Sequence, residues 1–335
     1  MYNEPPKVAI LMATYNGERF ISKQIDSILR QTYKNFHIII SDDCSTDNTY
    51  SIIMDYRRKD NRIMTPLINK NHGPFLNYYH LLKYCKENVI NGYDVYFLCD
   101  QDDIWEDDKV EKEVEKLYKT CVSDVPAAIY TDLNIIGEDD LPIGKKLSDM
   151  YNIQINNQYD YFLNQVNAWG NTIAFNRQLL DLVQVSDYMK NDLSHDHYIM
   201  FYACTYGKVL YLEEALTNYR RYGGNVSKMS SKLSIVTAFS KFLSSYHSII
   251  DLHARGYADV LFFAYNAPVK NKLINDIIDC FEYGGVGAII ILKKYNISLG
   301  SNIYNKLANF VLLFTKHYKK SQKFISFEKE AESIK

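Results

Sequence analysis

The sequence predicts an α/β protein with a mostly parallel central sheet and an appended helical C-terminal region. In the N-terminal part, apolar runs with the length of strands alternate with segments whose apolar residues recur at helical spacing. Strands and helices that alternate in this way form a largely parallel sheet covered on both faces. A chain of 335 residues, 47% hydrophobic and 23% charged, can bury a sizeable core. We expect one main domain at 1–228 and a smaller helical part at 229–335.

The individual elements follow from hydrophobic periodicity. In chain order we predict a strand at 8–12, a helix at 20–29, a strand at 37–40, a helix capped by Ser45, a strand at 62–65, a helix at 75–85 and a strand at 95–98. Strand patterns recur at 128–130, 172–175 and 209–212, mixed with short helices, and the pattern becomes helical after Asn225.

Polar and mostly acidic residues follow three of the predicted strands. The runs are Ala13-Thr14-Tyr15-Asn16-Gly17, Ser41-Asp42-Asp43-Cys44-Ser45 and Cys99-Asp100-Gln101-Asp102-Asp103. Ligands of such sheets bind beyond the carboxyl ends of the strands. We therefore expect these three loops to bring their side chains to one edge.

The run that begins at Asp100 places three carboxylates within four residues. Their mutual repulsion is unfavourable unless solvent or a cation relieves it, and carboxylate oxygens suit Mg²⁺ or Mn²⁺. The alternative is a solvated turn or a helix start, because Asp107 and Asp108 follow.

The run that begins at Asp42 also has two readings. Ser45 and its neighbours are typical of a helix N-cap. Two adjacent carboxylates exceed what one cap requires, so one of them is a candidate acceptor for the imide N–H of a uracil or thymine ring. Tyr15 would then supply a ring for stacking.

A third acidic position is Asp196, which lies between two histidines and follows Ser194. The pattern indicates the first turn of a helix, where an acid is commonplace. At a cleft, such a carboxylate can take the proton of an attacking hydroxyl. His195 and His197 are more often surface or core residues than metal ligands.

Taken together, these motifs resemble the family 2 glycosyltransferases of GT-A fold, and among them bacterial rhamnosyltransferase-like members of polysaccharide assembly. The resemblance spans Lys7 to Ser227. Beyond the loops above, it rests on Ile104-Trp105, Gly170-Asn171-Thr172-Ile173-Ala174-Phe175-Asn176, His195-Asp196-His197 and Tyr219-Arg220-Arg221-Tyr222-Gly223-Gly224-Asn225. The last motif departs from the family, because Tyr222 stands where a histidine is common.

The resemblance implies a role for each site residue. Asp196 would be the catalytic base and Asp102 the metal ligand in an Asp-x-Asp motif. The nucleotide-binding residues would be Ala13, Thr14, Tyr15, Asp42, Asp43, Asp100 and Gln101. The residues near the diphosphate, sugar or acceptor would be Asp103, Trp105, Trp169, Gly170, Asn171, His195 and Arg220.

The implied reaction is an inverting, metal-dependent transfer, with Mn²⁺ or Mg²⁺, from a nucleotide-sugar donor to a lipid-linked saccharide of a growing cell-surface polysaccharide. dTDP-rhamnose is the leading donor, and a UDP-hexose or UDP-N-acetylhexosamine is the alternative. A non-catalytic nucleotide-sugar-binding or scaffold subunit is a further alternative. A sugar nucleotidylyltransferase is disfavoured, because it should show a glycine-rich, basic phosphate loop after the first strand.

The C-terminal region combines apolar and basic residues. Between Glu282 and Glu328 the chain has seven lysines and no acidic residue. The residues Ile303, Leu307, Phe310, Val311 and Phe314 recur at helical spacing among Lys306, Lys316, Lys319, Lys320 and Lys323. Such a helix lies on an anionic membrane surface or packs its apolar side on the main domain.

The remaining sequence features concern location and partners. The start lacks a signal-peptide pattern, no apolar run approaches about 18 residues, and the six cysteines are scattered. We expect a cytoplasmic protein, peripheral on the cell membrane if the C-terminal helices bind lipid, with reduced thiols. We expect no nucleic-acid partner, and the sequence does not predict an oligomeric state.

Overall fold

The computed structural model describes most of the chain. The described residues are 4–68, 71–88, 92–120, 124–151, 153, 157–163, 168–185, 193–222, 246–300, 303–321 and 324–325. The chain divides into two compact units, the first formed by Met1–Ile153 and Asn167–Lys228, the second by Gln154–Val166 and Met229–Lys335. The sequence did not predict that the segment 154–166 clusters with the C-terminal region.

The first unit is built on one nine-stranded mixed sheet. Its strands are β1 (Val8–Thr14), β2 (Phe36–Asp42), β3 (Ile63–Ile68), β4 (Val95–Cys99), β5 (Ile104–Trp105), β6 (Ala127–Ile136), β7 (Pro142–Lys146), β8 (Ile173–Asn176) and β9 (Lys208–Arg220). The order is β3-β2-β1-β4-β8-β6-β9-β5, with β7 on β6. Neighbours from β3 to β4 are parallel, as predicted, whereas β8 pairs antiparallel with both β4 and β6.

Helices cover the sheet of the first unit. They are α1 (Ile21–Leu29), α2 (Thr49–Lys59), α3 (Pro74–Glu87), α4 (Lys109–Thr120), α5 (Leu147–Met150), α6 (Arg177–Leu182) and α7 (His195–Tyr206). The inner face of α1 buries Ile21, Ile25 and Ile28, which join the central strands in one hydrophobic core. Because both faces of the central strands are covered, β1 reads as a nearly continuous apolar run.

The register of the parallel strands places their carboxyl ends side by side. Thr14 at the end of β1 pairs with Asp42 at the end of β2, and Met12 pairs with Cys99 at the end of β4. The loops that follow these three strands therefore start from the same edge of the sheet, as the sequence predicts.

The prediction that Ser45 caps the second helix is wrong. Helix α2 begins at Thr49, whose backbone N–H donates to the carboxylate of Asp47 at 3.0 Å. The Ser45 hydroxyl instead donates to Asp42 at 2.6 Å and accepts the backbone N–H of Asn16 at 2.9 Å. Ser45 thus joins two strand-end loops.

The second unit is helical in its described residues. Its helices are α8 (Tyr246–Tyr265), α9 (Lys272–Tyr283), α10 (Gly285–Lys294) and α11 (Ile303–Thr315), with short 3₁₀ helices at Gln158–Phe162 and His317–Lys320. None of the helices within the described ranges is long and apolar enough to cross a bilayer.

Helix α11 leaves part of its predicted apolar stripe exposed. Its buried positions include Ala308, Leu312 and Leu313, whereas Phe310 and Phe314 are 42% and 48% exposed. The two exposed rings stack at 5.6 Å. Gly223–Asn225 and Lys323, which the sequence analysis singled out, lie outside the described residues, as does Cys121.

Candidate active site

The loop after β2 is held by donors from its own chain. The carboxylate of Asp42 accepts the Thr14 hydroxyl at 2.8 Å, the Ser45 hydroxyl at 2.6 Å and the Ser45 backbone N–H at 2.9 Å. Asp42 is nearly buried, and its bonds close the turn in which Cys44 adopts a φ of 60°. The structure thus places Thr14 and Asp42 together, with the Asp42 carboxylate already engaged.

Asp43 connects this loop to the start of α3. One oxygen of its carboxylate accepts the backbone N–H of His72 at 2.8 Å, and the other accepts that of Gly73 at 2.7 Å. Gly73 has a φ of 87°, which favours glycine. Each carboxylate oxygen has a second lone pair, so Asp43 can still accept an N–H from a ligand.

Gln101 links the loop after β4 to the loop after β1. Its amide accepts the backbone N–H of Tyr15 and donates to the Tyr15 carbonyl, both at 2.9 Å. A Cβ on Gly17 would lie 2.3 Å from the Gln101 Oε1, so a glycine leaves the space that this pairing needs. The Tyr15 side chain is 45% exposed and available for stacking, and it directly follows β1, in which Ala13 is the residue before the last.

Asp100 sits where the charges of the site converge. The Tyr78 hydroxyl lies 3.0 Å from its Oδ1 and 2.6 Å from the Cys99 carbonyl oxygen. Burial, and then the charges of Asp102 and Asp196, raise the pKa of Asp100 to about 7. The structure therefore brings Asp100, Asp102 and Asp196 within one electrostatic neighbourhood, although Asp196 is distant in sequence.

Asp102 is held by the segment after β9. The Tyr222 hydroxyl donates to its Oδ2 at 2.6 Å, and the Arg220 Nε donates to its backbone carbonyl at 2.9 Å. Burial raises the pKa of the Asp102 carboxyl, although the Tyr222 hydrogen bond and the Arg220 charge oppose the rise. Tyr222, which replaces the histidine common in this motif, is thus a direct partner of the predicted metal ligand.

Three residues that the sequence predicts near the diphosphate, sugar or acceptor are buried, namely Asp103, Trp105 and Arg220. Asp103 is 0% exposed, accepts the Asn171 amide at 2.5 Å and the Arg220 backbone N–H at 3.1 Å, and burial raises the pKa of its carboxyl. Trp105 is 1% exposed and packs on Phe97 in the core.

Arg220 is also 0% exposed, and its guanidinium contacts the Asp102 and Gly137 carbonyls and the Asp140 carboxylate. The side chains of Asp103, Trp105 and Arg220 thus lie inside the protein, and their place near the diphosphate, sugar or acceptor stays a prediction. Asp103, Arg220 and the buried Asn171 are hydrogen bonded to one another or to the backbone of the acidic loop, and so hold the loop from the interior of the protein.

Asp196 lies in the first turn of α7, as predicted. Its Oδ1 accepts the Ser194 hydroxyl and the backbone N–H of His197, the latter at 2.8 Å. Burial alone would raise the pKa of Asp196, but the charge of His197 and these hydrogen bonds outweigh it and lower the pKa. The carboxylate is consequently ionised at neutral pH.

Gly170 brings the antiparallel half of the sheet to this carboxylate. A Cβ on Gly170 would lie 3.2 Å from the His195 Nε2 and 3.7 Å from the Asp196 Oδ2. The preceding Trp169 is partly buried, and its ring meets Tyr219 edge-on at 5.0 Å. The sequence predicted that Gly170, His195 and Asp196 share a site, and these distances place them together.

The acidic loop fits a divalent cation that takes part of its shell from a ligand. Among the described residues there is no group of three or more His, Cys, Asp or Glu side chains arranged to hold a metal ion. Asp100 and Asp102 nevertheless present oxygen ligands whose repulsion a cation would relieve. Mg²⁺ commonly binds through one or two carboxylates plus phosphates and waters.

The sequence matches a known protein family and is similar to characterised bacterial proteins. The model of the family described as Glycosyl transferase family 2 matches residues 9–182. The dTDP-rhamnosyl transferase RfbG of Shigella flexneri is 31% identical over 225 residues, which cover 64% of this chain and 72% of that protein. The UDP-Glc:alpha-D-GlcNAc-diphosphoundecaprenol beta-1,3-glucosyltransferase WfgD of Escherichia coli is 32% identical over 41% of this chain and 49% of its own length.

Two solved structures resemble the fold. Staphylococcus aureus TarS 1-349 in complex with UDP-GlcNAc has a TM-score of 0.55 at 14% identity, covering 94% of this chain and 83% of that chain. The mannosyltransferase PcManGT from Pyrobaculum calidifontis, in complex with GDP-Man and Mn²⁺, has a TM-score of 0.52 at 14% identity, covering 99% and 86%. The prediction of a GT-A fold is confirmed.

Proposed function

This chain belongs to glycosyl transferase family 2, and we propose that it transfers a sugar, with inversion, from a nucleotide-diphosphate donor to a growing cell-surface polysaccharide. It is a glycosyltransferase that acts on polysaccharide precursors.

The ionised carboxylate of Asp196 carries the mechanistic proposal. Asp196 lies beside Gly170, and its charge raises the pKa of Asp100. It therefore borders the acidic loop. Its lowered pKa keeps it a proton acceptor at neutral pH. As the acceptor oxygen bonds to the anomeric carbon, Asp196 takes its proton and the bond to the donor phosphate oxygen breaks. Attack on the face opposite the leaving group inverts the anomeric configuration.

The acidic loop would serve the leaving diphosphate. Asp102, with Asp100 beside it, would hold the Mn²⁺ or Mg²⁺ ion. A divalent cation held there would neutralise the charge that develops on the departing phosphate. Tyr222 and Arg220 keep the Asp102 side chain and backbone in place.

The donor proposal rests on the base site and on the relatives. The exposed ring of Tyr15 would stack on the base, and Asp43 would accept its imide N–H, which uracil and thymine both offer. dTDP-rhamnose is favoured by the 31% identity to a dTDP-rhamnosyl transferase. A UDP-hexose or UDP-N-acetylhexosamine is the alternative, since WfgD is named for UDP-Glc.

Replacing the proposed base tests this function. In Asp196→Asn, we expect transfer to fall by about 10²–10⁴-fold, with donor affinity retained in titration calorimetry. Glu111 occupies the first turn of α4 in the same way, so Glu111→Gln is the matched control and should leave transfer unchanged. An Asp196→Asn enzyme of nearly full activity would refute the assignment.

The non-catalytic alternative makes a different prediction. A nucleotide-sugar-binding or scaffold subunit would bind donors but would neither transfer nor hydrolyse the sugar. Thermal stabilisation by nucleoside diphosphates with Mn²⁺, combined with donor cleavage by the wild-type chain, distinguishes the two readings.

We also propose that the acceptor is lipid-linked and that the chain binds the membrane peripherally. The name of WfgD includes a diphosphoundecaprenol acceptor. On α10 and α11, Ile290, Phe310 and Phe314 are exposed apolar residues. The sequence between Glu282 and Glu328 has seven lysines and no acidic residue, although Lys294 pairs with Asp276 of α9. Exposed apolar rings and nearby lysines suit an anionic lipid surface.

Vesicle sedimentation tests the membrane proposal. The full chain should sediment with phosphatidylglycerol vesicles more than with phosphatidylcholine vesicles, and Phe310→Ser with Phe314→Ser should weaken this. Leu252 on α8 is similarly exposed, so Leu252→Ser is the control and should bind as wild type. Sedimentation that does not depend on anionic lipid would contradict the proposal.

A further inference from the structure

His195 is a buried histidine whose ring is held by aromatic neighbours. It begins α7 and is 6% exposed. Its imidazole stacks on the Tyr78 ring at 3.8 Å and 15°, and the Phe75 ring lies 5.8 Å away. The stacking fixes the plane of the imidazole and therefore the directions in which its two nitrogens point.

Neither nitrogen of this imidazole has a hydrogen-bond partner within the described ranges of the chain. Buried polar atoms are nearly always paired, so two unpaired nitrogens on one ring need an explanation. Burial lowers the pKa of His195 to about 4. At neutral pH the ring therefore offers one N–H donor and one acceptor nitrogen.

The position of these nitrogens points to a ligand. The His195 Nε2 lies 3.2 Å from the point where a Cβ of Gly170 would stand, and the Asp196 Oδ2 lies 3.7 Å from the same point. The missing side chain at Gly170 thus leaves a space that both groups border. On the far side, Tyr78 links the imidazole to Asp100.

We propose that His195 hydrogen bonds a sugar hydroxyl at this space, and so helps to select and orient the saccharide beside Asp196. This inference rests on the proposed sugar transfer. The hydroxyl belongs either to the donor sugar or to the acceptor saccharide, which share this chemistry. A hydroxyl matches a neutral imidazole, because it can both accept and donate a hydrogen bond.

His195→Phe is the sharpest variant. The phenyl ring keeps the stacking on Tyr78 and removes both unpaired nitrogens, so we expect an unchanged or higher Tm. We also expect kcat/KM for transfer to fall by about tenfold, the size of one lost hydrogen bond. His195→Gln, which restores a donor and an acceptor, should recover part of the loss.

Two kinetic arms identify the source of the hydroxyl. If it belongs to the donor sugar, His195→Phe raises the donor KM even in donor hydrolysis without acceptor. If it belongs to the acceptor, donor hydrolysis is unchanged and only the acceptor KM rises. Wild-type values in both arms would overturn the proposal, as would a loss in His195→Phe that His195→Gln does not relieve at all.

His37 provides the matched control. It also has a buried nitrogen without a partner in the described part of the chain and packs edge-on against Tyr93 at 5.7 Å. His37→Phe should leave both KM values unchanged, since His37 lies along β2, before the strand end. If the wild-type chain transfers no sugar, the proposed function fails. If it is active and His195→Phe matches it, only this inference fails.

Discussion

The acidic loops after β2 and β4 look alike in sequence and differ in how the fold treats their charges. After β2, Asp42 and Asp43 accept hydroxyl and backbone N–H donors from the protein at 2.6 to 2.9 Å. After β4, burial raises the pKa values of Asp100 and Asp102, and the charge of Asp102 raises that of Asp100 further.

Asp42 and Asp43 are carboxylates that hold the site together, whereas Asp100 and Asp102 are carboxylates that need a ligand. The protein supplies the hydrogen bonds that Asp42 and Asp43 require when charged. The repulsion between Asp100 and Asp102 is instead relieved by a proton or a cation. Each loop can therefore be tested by removing a charge and recording whether the chain becomes less or more stable.

The largest expected effect is on catalysis at Asp102. Asp102→Asn should lower transfer by about 10²–10³-fold, because the carboxylate that would hold the cation at the leaving diphosphate is lost. The same variant should lose the rise in Tm that Mn²⁺ with a nucleoside diphosphate gives the wild type. Asp279→Asn, at an exposed site on α9, is the control. An Asp102→Asn enzyme that responds to Mn²⁺ like wild type would remove Asp102 from the cation site.

The second-largest expected effect is on stability, which should fall when the loop after β2 loses a charge and rise when the loop after β4 loses one. Asp43→Asn turns one acceptor oxygen into a donor that faces a backbone N–H, so the free energy of unfolding should fall by about 1–3 kcal/mol. Asp100→Asn removes a repelled charge, so the cation-free chain should gain stability. Urea denaturation of both variants measures this contrast. Losses of equal size at both positions would break the comparison between the loops.

The smallest effect is on the pH dependence of stability. The pKa of Asp100 is raised by burial and by Asp102 from 3.8 to about 7. Between these values the folded chain binds a proton that the unfolded chain releases, so this contribution to stability is lost as pH rises towards 7. Burial also raises the pKa of Glu113 to about 7, so wild type must be compared with Asp100→Asn.

We expect the Tm of the cation-free wild type to fall more steeply with rising pH than that of Asp100→Asn. Thermal unfolding followed by circular dichroism across mildly acidic to neutral buffers measures both slopes. Saturating Mn²⁺ with a nucleoside diphosphate should reduce the difference. Identical slopes for the two proteins would show that Asp100 does not titrate as its burial implies.

The sequence was sufficient to predict the edge of the sheet that carries the site. Continuous apolar runs located β1, β2 and β4, and parallel pairing then required their ends to meet. Ser194 and the pattern that follows it also predicted the helix start that holds Asp196. These features depend on local periodicity and on general rules of topology.

The sequence could not predict which acidic residue faces which environment. Asp102 and Asp103 are neighbours, yet Asp102 meets Tyr222 while Asp103 turns inward to Asn171. The partners of Asp43, at His72 and Gly73, likewise come from a distant loop. Tertiary contacts determine the environment of each carboxylate, and neither composition nor spacing reveals those contacts.

The burial of aromatic and basic motif residues could not be predicted from the sequence, for a related reason. Trp105 and Arg220 belong to motifs that resemble a substrate site, but their side chains fill the interior behind it. A motif records that residues occur together near a site. Whether a particular side chain contacts the ligand or supports the loop that does so depends on packing.

The central claim is that Asp196 activates an acceptor for one direct displacement of the nucleoside diphosphate. Proton NMR of the product formed by the wild-type chain from dTDP-rhamnose or a UDP-sugar tests it most directly. The account predicts an anomeric configuration opposite to that of the donor. A product that retains the donor configuration would contradict it, because one direct displacement from the face opposite the leaving group inverts the anomeric carbon.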